Sequence, residues 1–374
     1  MHRIALGDAA GTYVYVSSRT GDIVMDATRS ERIWGYLGPV THWLYLPILR
    51  RNGPLWTQVI IWTSGIGCVM CIAGLVLGLV RYSPFARFRL RGTHTRSPYA
   101  GLMMWHHYTG LVFGVITFTW TFSGLLSMGP FDWLSNGGLT PAQRRAVTGA
   151  STSLDDVTVP RVQAAVAAIQ PDFAPKELTL TFFRSEPFWI SDAAPTGIVP
   201  DERRHASAPA AGPADGARAH RLVSAIRPEA GTFARFDDAT VENVARTVMP
   251  GVATQDVTWL QEYDAYYYDR RGARPLPVLR VRYADADGTW LYLDPQRGSI
   301  ALVSRAPGRL DRWLYQGLHS LDFPFLYYRR PLWDIVVIVF SLGGIALGAT
   351  TLKPSWVRLR RHLTRRRVRP AAAR

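Results

Sequence analysis

The chain has 374 residues, 48% of them apolar, and carries 43 Lys and Arg against 28 Asp and Glu, a net charge of +15. Its two cysteines exclude a disulfide-stapled scaffold. The positive charge sits in two acid-free runs, Arg81 to Arg96 and Lys353 to Arg374, so the remainder is near neutral; the leading reading is membrane topology rather than nucleic-acid binding, with anionic lipid head groups a further partner for the tail.

In chain order, 1–30 reads as the closing hairpin of a small α+β module, with its turn inside 13–23, and 31–55 reads as an interfacial helix and loop containing His42. The stretch 56–80 has no charged residue and is long enough to cross a hydrocarbon core of ~30 Å as a helix. Cys68-Val-Met-Cys71 lies inside it; helix packing is the plain reading, since a redox or zinc site needs aqueous access and further ligands. A basic loop, 81–101, leads to a second span, 102–128, whose only titratable groups near its start are His106, His107 and Tyr108.

The region 129–308 is predicted to be α+β. A helix over 160–169 opens with Pro160 and places Val162, Ala165, Val166 and Ile169 on one face; a strand follows over 177–190. An Ala/Pro/Gly/Asp-rich linker occupies 192–219. Then come a helix over 238–248, strands over 257–269 and 277–283, and a hairpin of 289–293 with 299–303 across Asp294-Pro-Gln-Arg-Gly298. Strand alternation would distribute Trp259, Tyr263, Tyr266, Tyr267 and Tyr268 between two faces, the exposed one being either bland surface or a platform for an aromatic or chelated ligand. A second interfacial helix and loop, 309–331, contains His319 and precedes a third span, 332–352, and a basic tail, 353–374. The positive-inside rule puts 81–101 and the tail in the cytoplasm, and the N-terminus and 129–331 outside.

Residues 11–56 recur at 288–333 without a gap, at an offset of 277 (288 minus 11). Gly11, Tyr15, Gly21, Arg32, His42, Pro47 and Trp56 meet Gly288, Tyr292, Gly298, Arg309, His319, Pro324 and Trp333. These are backbone-determining or chemical positions, so the match marks a duplicated unit. The same offset gives His106 no counterpart, and the odd number of spans fits a complete unit of four helices. The expectation is therefore that preceding residues, or a second polypeptide or dimer partner, supply one helix and most of one module.

The unit ending "GTWLYLDPQRGSI" resembles a PepSY domain, and the runs "MMWHHYTGLVFG" and "DRWLYQGLHSLDFPFLYYRRPLWDIV" resemble the PepSY-associated transmembrane family, which includes iron-regulated membrane proteins and siderophore reductases. The resemblance implies a membrane α-helical bundle that binds haem b, extracytoplasmic α+β PepSY-like modules, a bacterial inner-membrane location and, as in some members, electron transfer to a ferric chelate such as a ferric siderophore. The sequence has no flavin or nicotinamide fingerprint, so the expected donor is membrane-borne, such as quinol, or a partner protein.

Four histidines stand where chemistry is plausible. His106 has Gly110 one turn above it on the same helix face, which suits an imidazole directed at iron beside a small residue that lets a macrocycle approach. A histidine snorkelling into head groups is the competing reading, and the resemblance favours the ligand. His107 points about a quarter turn away, which suits a supporting or quinone-facing role. His42 and His319, each five residues before a proline, are interfacial histidines if taken singly; their recurrence makes them the candidate pair for an outer haem. A non-catalytic reading stands beside this one, in which the modules regulate a peptidase or sense an envelope ligand. A transporter ranks third, for want of spans and intramembrane carboxylates.

Overall fold

Apolar runs without a helix breaker become the three longest helices of the chain, and all three are long and apolar enough to cross a membrane. The computed structural model describes residues 1–90, 92–130, 137–150, 153–193, 220–269 and 274–367, which cluster as two units, 1–130 with 343–374 and 131–342. Of the linker expected over 192–219, residues 192 and 193 are instead the end of a strand, and 194–219 lie outside the described residues.

The first unit opens with an antiparallel sheet of β1 (His2–Ala5), β2 (Tyr13–Val16) and β3 (Ile23–Ala27), with β2 in the centre. Strand β2 is thus paired on both sides, by β1 and β3, which leaves β1 and β3 as the edges. Helix α1 (Arg29–Gly35) starts at a capping box in which Thr28 and Glu31 each accept from the other's backbone N–H. It runs into a π turn, Tyr36–Val40, and then α2 (Pro47–Arg50). The spanning helix α3 (Gly53–Arg81) is capped by Asn52 and joined through a small hairpin, β4 (Phe88–Leu90) and β5 (Thr93–Thr95), to α4 (Leu102–Leu126). Close approach of α3 and α4 depends on Gly114, where a Cβ would come within 2.7 Å of Leu75.

The second unit holds two antiparallel four-stranded sheets. Helices α5 (Pro141–Thr148) and α6 (Val159–Ile169) precede the sheet of β6 (Pro175–Phe183), β7 (Glu186–Ala193), β8 (His220–Ser224) and β9 (Thr232–Phe233). The expected single strand over 177–190 is a hairpin. Its turn residues Arg184 and Ser185 both have positive φ, which bulky side chains seldom adopt, and their N–H groups donate to Val147 and Thr148 at the end of α5. Helix α7 (Asp238–Thr247) leads to β10 (Thr254–Leu260), β11 (Val278–Tyr283), β12 (Trp290–Asp294) and β13 (Ser299–Ser304), paired in that order. Phe183, Phe188, Ile190 and Leu222 of the first sheet, Val241, Val244 and Ala245 of α7, and Leu279, Val281, Leu291 and Leu293 of the second form one core.

The strand expected over 257–269 stops at Leu260. The Asp264 carboxylate accepts from the N–H groups of Tyr266 and Tyr267, which folds the chain into a turn, so the tyrosines do not alternate. Tyr267 is fully buried and stacks on Tyr292 at 4.8 Å. After β13 come α8 (Ala306–Asp311), a π turn, Arg312–Gly317, then α9 (Leu318–Ser320), α10 (Pro324–Tyr327) and the long α11 (Leu332–Arg367). Helix α11 continues past the expected end at 352, since the Leu/Arg-rich sequence beyond Pro354 favours helix and basic residues suit a helix C-terminus.

The duplication holds in the hydrogen-bond register. His2, Arg3, Ile4 and Ala5 face Val16, Tyr15, Val14 and Tyr13, and their counterparts 277 further on, Leu279 to Arg282, face Leu293 to Trp290. Both copies carry a bulge at the same place, between Tyr15 and Val16 and between Tyr292 and Leu293. Asp8 binds the N–H and hydroxyl of Thr12 as Asp285 binds those of Thr289. Arg32 donates to the carbonyls of Gly11 and Ala27, and Arg309 to those of Gly288 and Ser304. Trp56 and Trp333 each donate to a carbonyl thirteen residues back, at Trp43 and Ser320. Burial differs: α7 covers one face of β11 and β12, whereas Ile4, Ile23, Val24 and Met25 are exposed in the first copy.

Gly21 and Gly298 occupy equivalent turns with φ of +76° and +59°, but only at Gly298 would a Cβ collide, 2.7 Å from Phe236. Gly21→Ala is expected to cost the ~1–2 kcal/mol of left-handed backbone. Gly298→Ala is expected to cost a further ~1–3 kcal/mol of overpacking, a difference that denaturant titration of the two variants measures.

Candidate functional site

The spanning helices of the first unit enclose an apolar cavity of about 360 Å³. It is lined by Met70, Gly74 and Gly78 of α3, by Met103, His106 and Gly110 of α4, and by Leu347 of α11. Three glycines spaced along two helices leave backbone rather than side chain at the wall, which is what a flat ligand lying against a helix requires. Gly110 meets only Leu347, at an ordinary 3.7 Å from where a Cβ would stand, whereas Gly114 is committed to helix packing.

His106 lies in the first turn and a half of α4, and its Nδ1 is 3.3 Å from Thr350 Oγ1 on α11. The Thr350 hydroxyl donates to the carbonyls of Ala346 and Leu347. With the hydroxyl proton on one of these carbonyls, its oxygen accepts from Nδ1–H, the tautomer that leaves the lone pair on Nε2. Nε2 has no hydrogen-bond partner among the described residues. An imidazole oriented at one nitrogen and open at the other is the form that ligates a metal.

His107 has the opposite character. It is buried, with Nε2 2.8 Å from the Gly78 carbonyl and Nδ1 2.8 Å from Ser97 Oγ. A carbonyl only accepts, so Nε2 carries the proton, and Ser97 donates to Nδ1. Tyr99, Tyr82 and Tyr108 pack around the ring. Both nitrogens are thus committed to protein partners, and His107 is a clamp between α3, the 81–101 loop and α4 rather than a ligand. Its partners lie 10 and 29 residues away, and nothing local in the sequence signals them.

His42 and His319 belong to different units and are described by their own surroundings. Each follows a π turn, at Tyr36–Val40 and Arg312–Gly317, a geometry that is rare and concentrated at functional sites. His42 packs edge-on against Trp43 at 5.9 Å, and His319 stacks on Tyr315 at 5.3 Å. Leu44 and Leu321, two residues beyond each histidine, share a positive φ of 50° and 51°. The π turns have no signature in the sequence; the conformation is common to both copies, although Pro39 stands in one and Gln316 in the other.

The residues of the intramembrane cavity would fit an apolar macrocycle held by an imidazole: His106 would hold it, the glycines leave a wall it could lie against, and the thioethers of Met70 and Met103 are further soft donors. They do not supply a second open imidazole at this site. Comparison of the chain with protein-family models, with curated proteins and with solved structures finds no match in any of the three.

Proposed function

We propose that the chain is a haem b-binding oxidoreductase of the bacterial inner membrane that passes electrons from a quinol or other membrane-borne donor to a periplasmic acceptor, a ferric siderophore being the class the resemblance implies. The observation that carries this reading is His106, held in one tautomer by Thr350 with Nε2 open beside an apolar, glycine-lined cavity in a membrane segment. His106 would hold the inner haem, and His42 and His319, the equivalent histidines of the repeat, would be candidate ligands for an outer one. Haem, when bound, would supply one-electron chemistry. The chain's own part is to orient the imidazole, keep water from the cavity with Met70, Leu75, Met103, Leu111 and Leu347, and brace the helix ends through His107. The orientation proposed is the one the basic runs favour, with 81–101 and the C-terminal tail cytoplasmic.

The exposed apolar strands β1 and β3 favour a second reading for the first module, a docking site for a second polypeptide, in a protein that regulates a peptidase or senses an envelope ligand without catalysis. The two readings are separated by a reduced-minus-oxidised absorption spectrum and haem quantification on the purified full chain. The oxidoreductase reading expects a haem b spectrum that weakens when His42 and His319 are both replaced by alanine. A haem-free protein whose regulatory partner binds the double variant unchanged supports the second reading and overturns the first.

A further inference from the structure

The two copies of the repeat act as internal controls for each other, and one set of polar residues fails that control. In the second copy the segment from α8 through its π turn carries Asp311, Arg312, Tyr315 and Gln316; the first copy builds the same α–π path with Trp34, Gly35, Gly38 and Pro39. The backbone therefore does not need these polar side chains. In contrast, Arg309 and its counterpart Arg32 are kept and cap the same carbonyls.

The differing residues line one wall of a cavity of about 720 Å³ in the second unit, and Tyr266, Tyr268 and Arg274 of the loop after β10 line another. Part of the set has a structural task. Arg312 Nε donates to the Ala265 carbonyl and Nη2 to that of Asp322, while the Tyr268 hydroxyl bonds Gln316 and Asp322, so the loop is fastened to the helix. That task leaves donors over. Arg312 is only 7% exposed, and its Nη1, like the buried Nη1 of Arg274, has no hydrogen-bond partner among the described residues. A buried guanidinium N–H without an acceptor is costly to leave so.

Guanidinium groups donate and never accept, so whatever satisfies these two must present oxygen acceptors, and planar carboxylates match the guanidinium fork. Asp269, Asp311 and Asp322 roughly balance Arg274, Arg309 and Arg312 in charge. The cavity therefore selects by hydrogen-bond geometry more than by net charge. Its volume exceeds what one carboxylate fills and suits a ligand of several such groups. Tyr315 links the cavity to His319, on which it stacks.

We infer that this cavity binds a polycarboxylate chelate, with Arg274 and Arg312 donating to carboxylate oxygens and Tyr266, Tyr268 and Tyr315 flanking it. The inference rests on the proposed function in taking the ligand to be the metal-bearing acceptor, and names its chemical class. The test is isothermal titration of the full chain in detergent with citrate and with redox-inert gallium(III) citrate, neither of which requires haem. Binding is expected, weakened about tenfold or more by Arg274→Gln, as for loss of one charged hydrogen bond, with an unchanged melting midpoint. Arg312→Gly with Tyr315→Gly, the first-copy residues, is expected to abolish it; should that variant fail to fold, Arg274→Gln decides alone. Unaltered affinity in Arg274→Gln, or no binding of either probe to the unsubstituted chain, overturns the inference. Arginine-dependent binding by a chain that carries no haem would uphold the site and remove the redox role.

Discussion

Val281→Asp is expected to unfold the second sheet, whereas Ile4→Asp, the same position of the repeat, is expected to leave the melting midpoint of the protein within about 2 °C, consistent with a surface substitution worth less than ~0.5 kcal/mol. Val281 is 0% exposed and Ile4 is 48% exposed. The register places them identically, Val281 opposite Leu291 and Ile4 opposite Val14. Pairing to the following strand and the local turns are thus held constant; cover differs, and β11 is also paired on its other side with β10, where β1 is an edge. At Val281 the new carboxylate would enter the apolar core shared by α7 and both sheets, among Leu279, Leu291 and Leu293. An unpaired buried charge of this kind costs upwards of about 4 kcal/mol, a large share of the stability of a small domain. Intrinsic fluorescence during thermal unfolding, with limited proteolysis to locate the cleavage, measures both variants. Equal destabilisation would show that a partner buries the first sheet in the purified protein.

The duplication explains why so much of this sheet was legible. Glycines at Gly21 and Gly298, the paired aspartate–threonine turns and the prolines that open α2 and α10 are residues whose chemistry dictates backbone, and they specify strand order and even the bulge. Apolar length made the three spans equally plain. What escaped was set by distant partners. The turn at Arg184 and Ser185 has no Asn-Gly or Asp-Gly signal; it is held because two carbonyls at the end of α5 receive its N–H groups. The aromatic run 263–268 looks like a strand until Asp264 turns it. At the candidate site, spacing along α4 selected His106 and Gly110, but the Thr350 contact that orients the imidazole crosses from a helix 244 residues away.

Exchanging the roles of the adjacent histidines gives the sharpest expectation at that site. His106→Ala is expected to lose the inner haem while the melting midpoint moves little, because the ring makes one long hydrogen bond and lines a cavity rather than a packed core. His107→Ala is expected to do the reverse. The Gly78 carbonyl lies in the last turn of α3, where the N–H of Tyr82 turns to Leu79 instead, so His107 satisfies an acceptor that the helix itself leaves over. Removing the imidazole strands that carbonyl and the Ser97 hydroxyl together, which corresponds to about 2–4 kcal/mol. His107→Gln, which keeps a donor, should recover part of the loss. Haem content per folded molecule and the thermal midpoint are read on the same samples. If His107→Ala strips the haem at an unchanged midpoint, the assignment is inverted, and the ring now bonded to Gly78 and Ser97 must swing free to serve as the ligand.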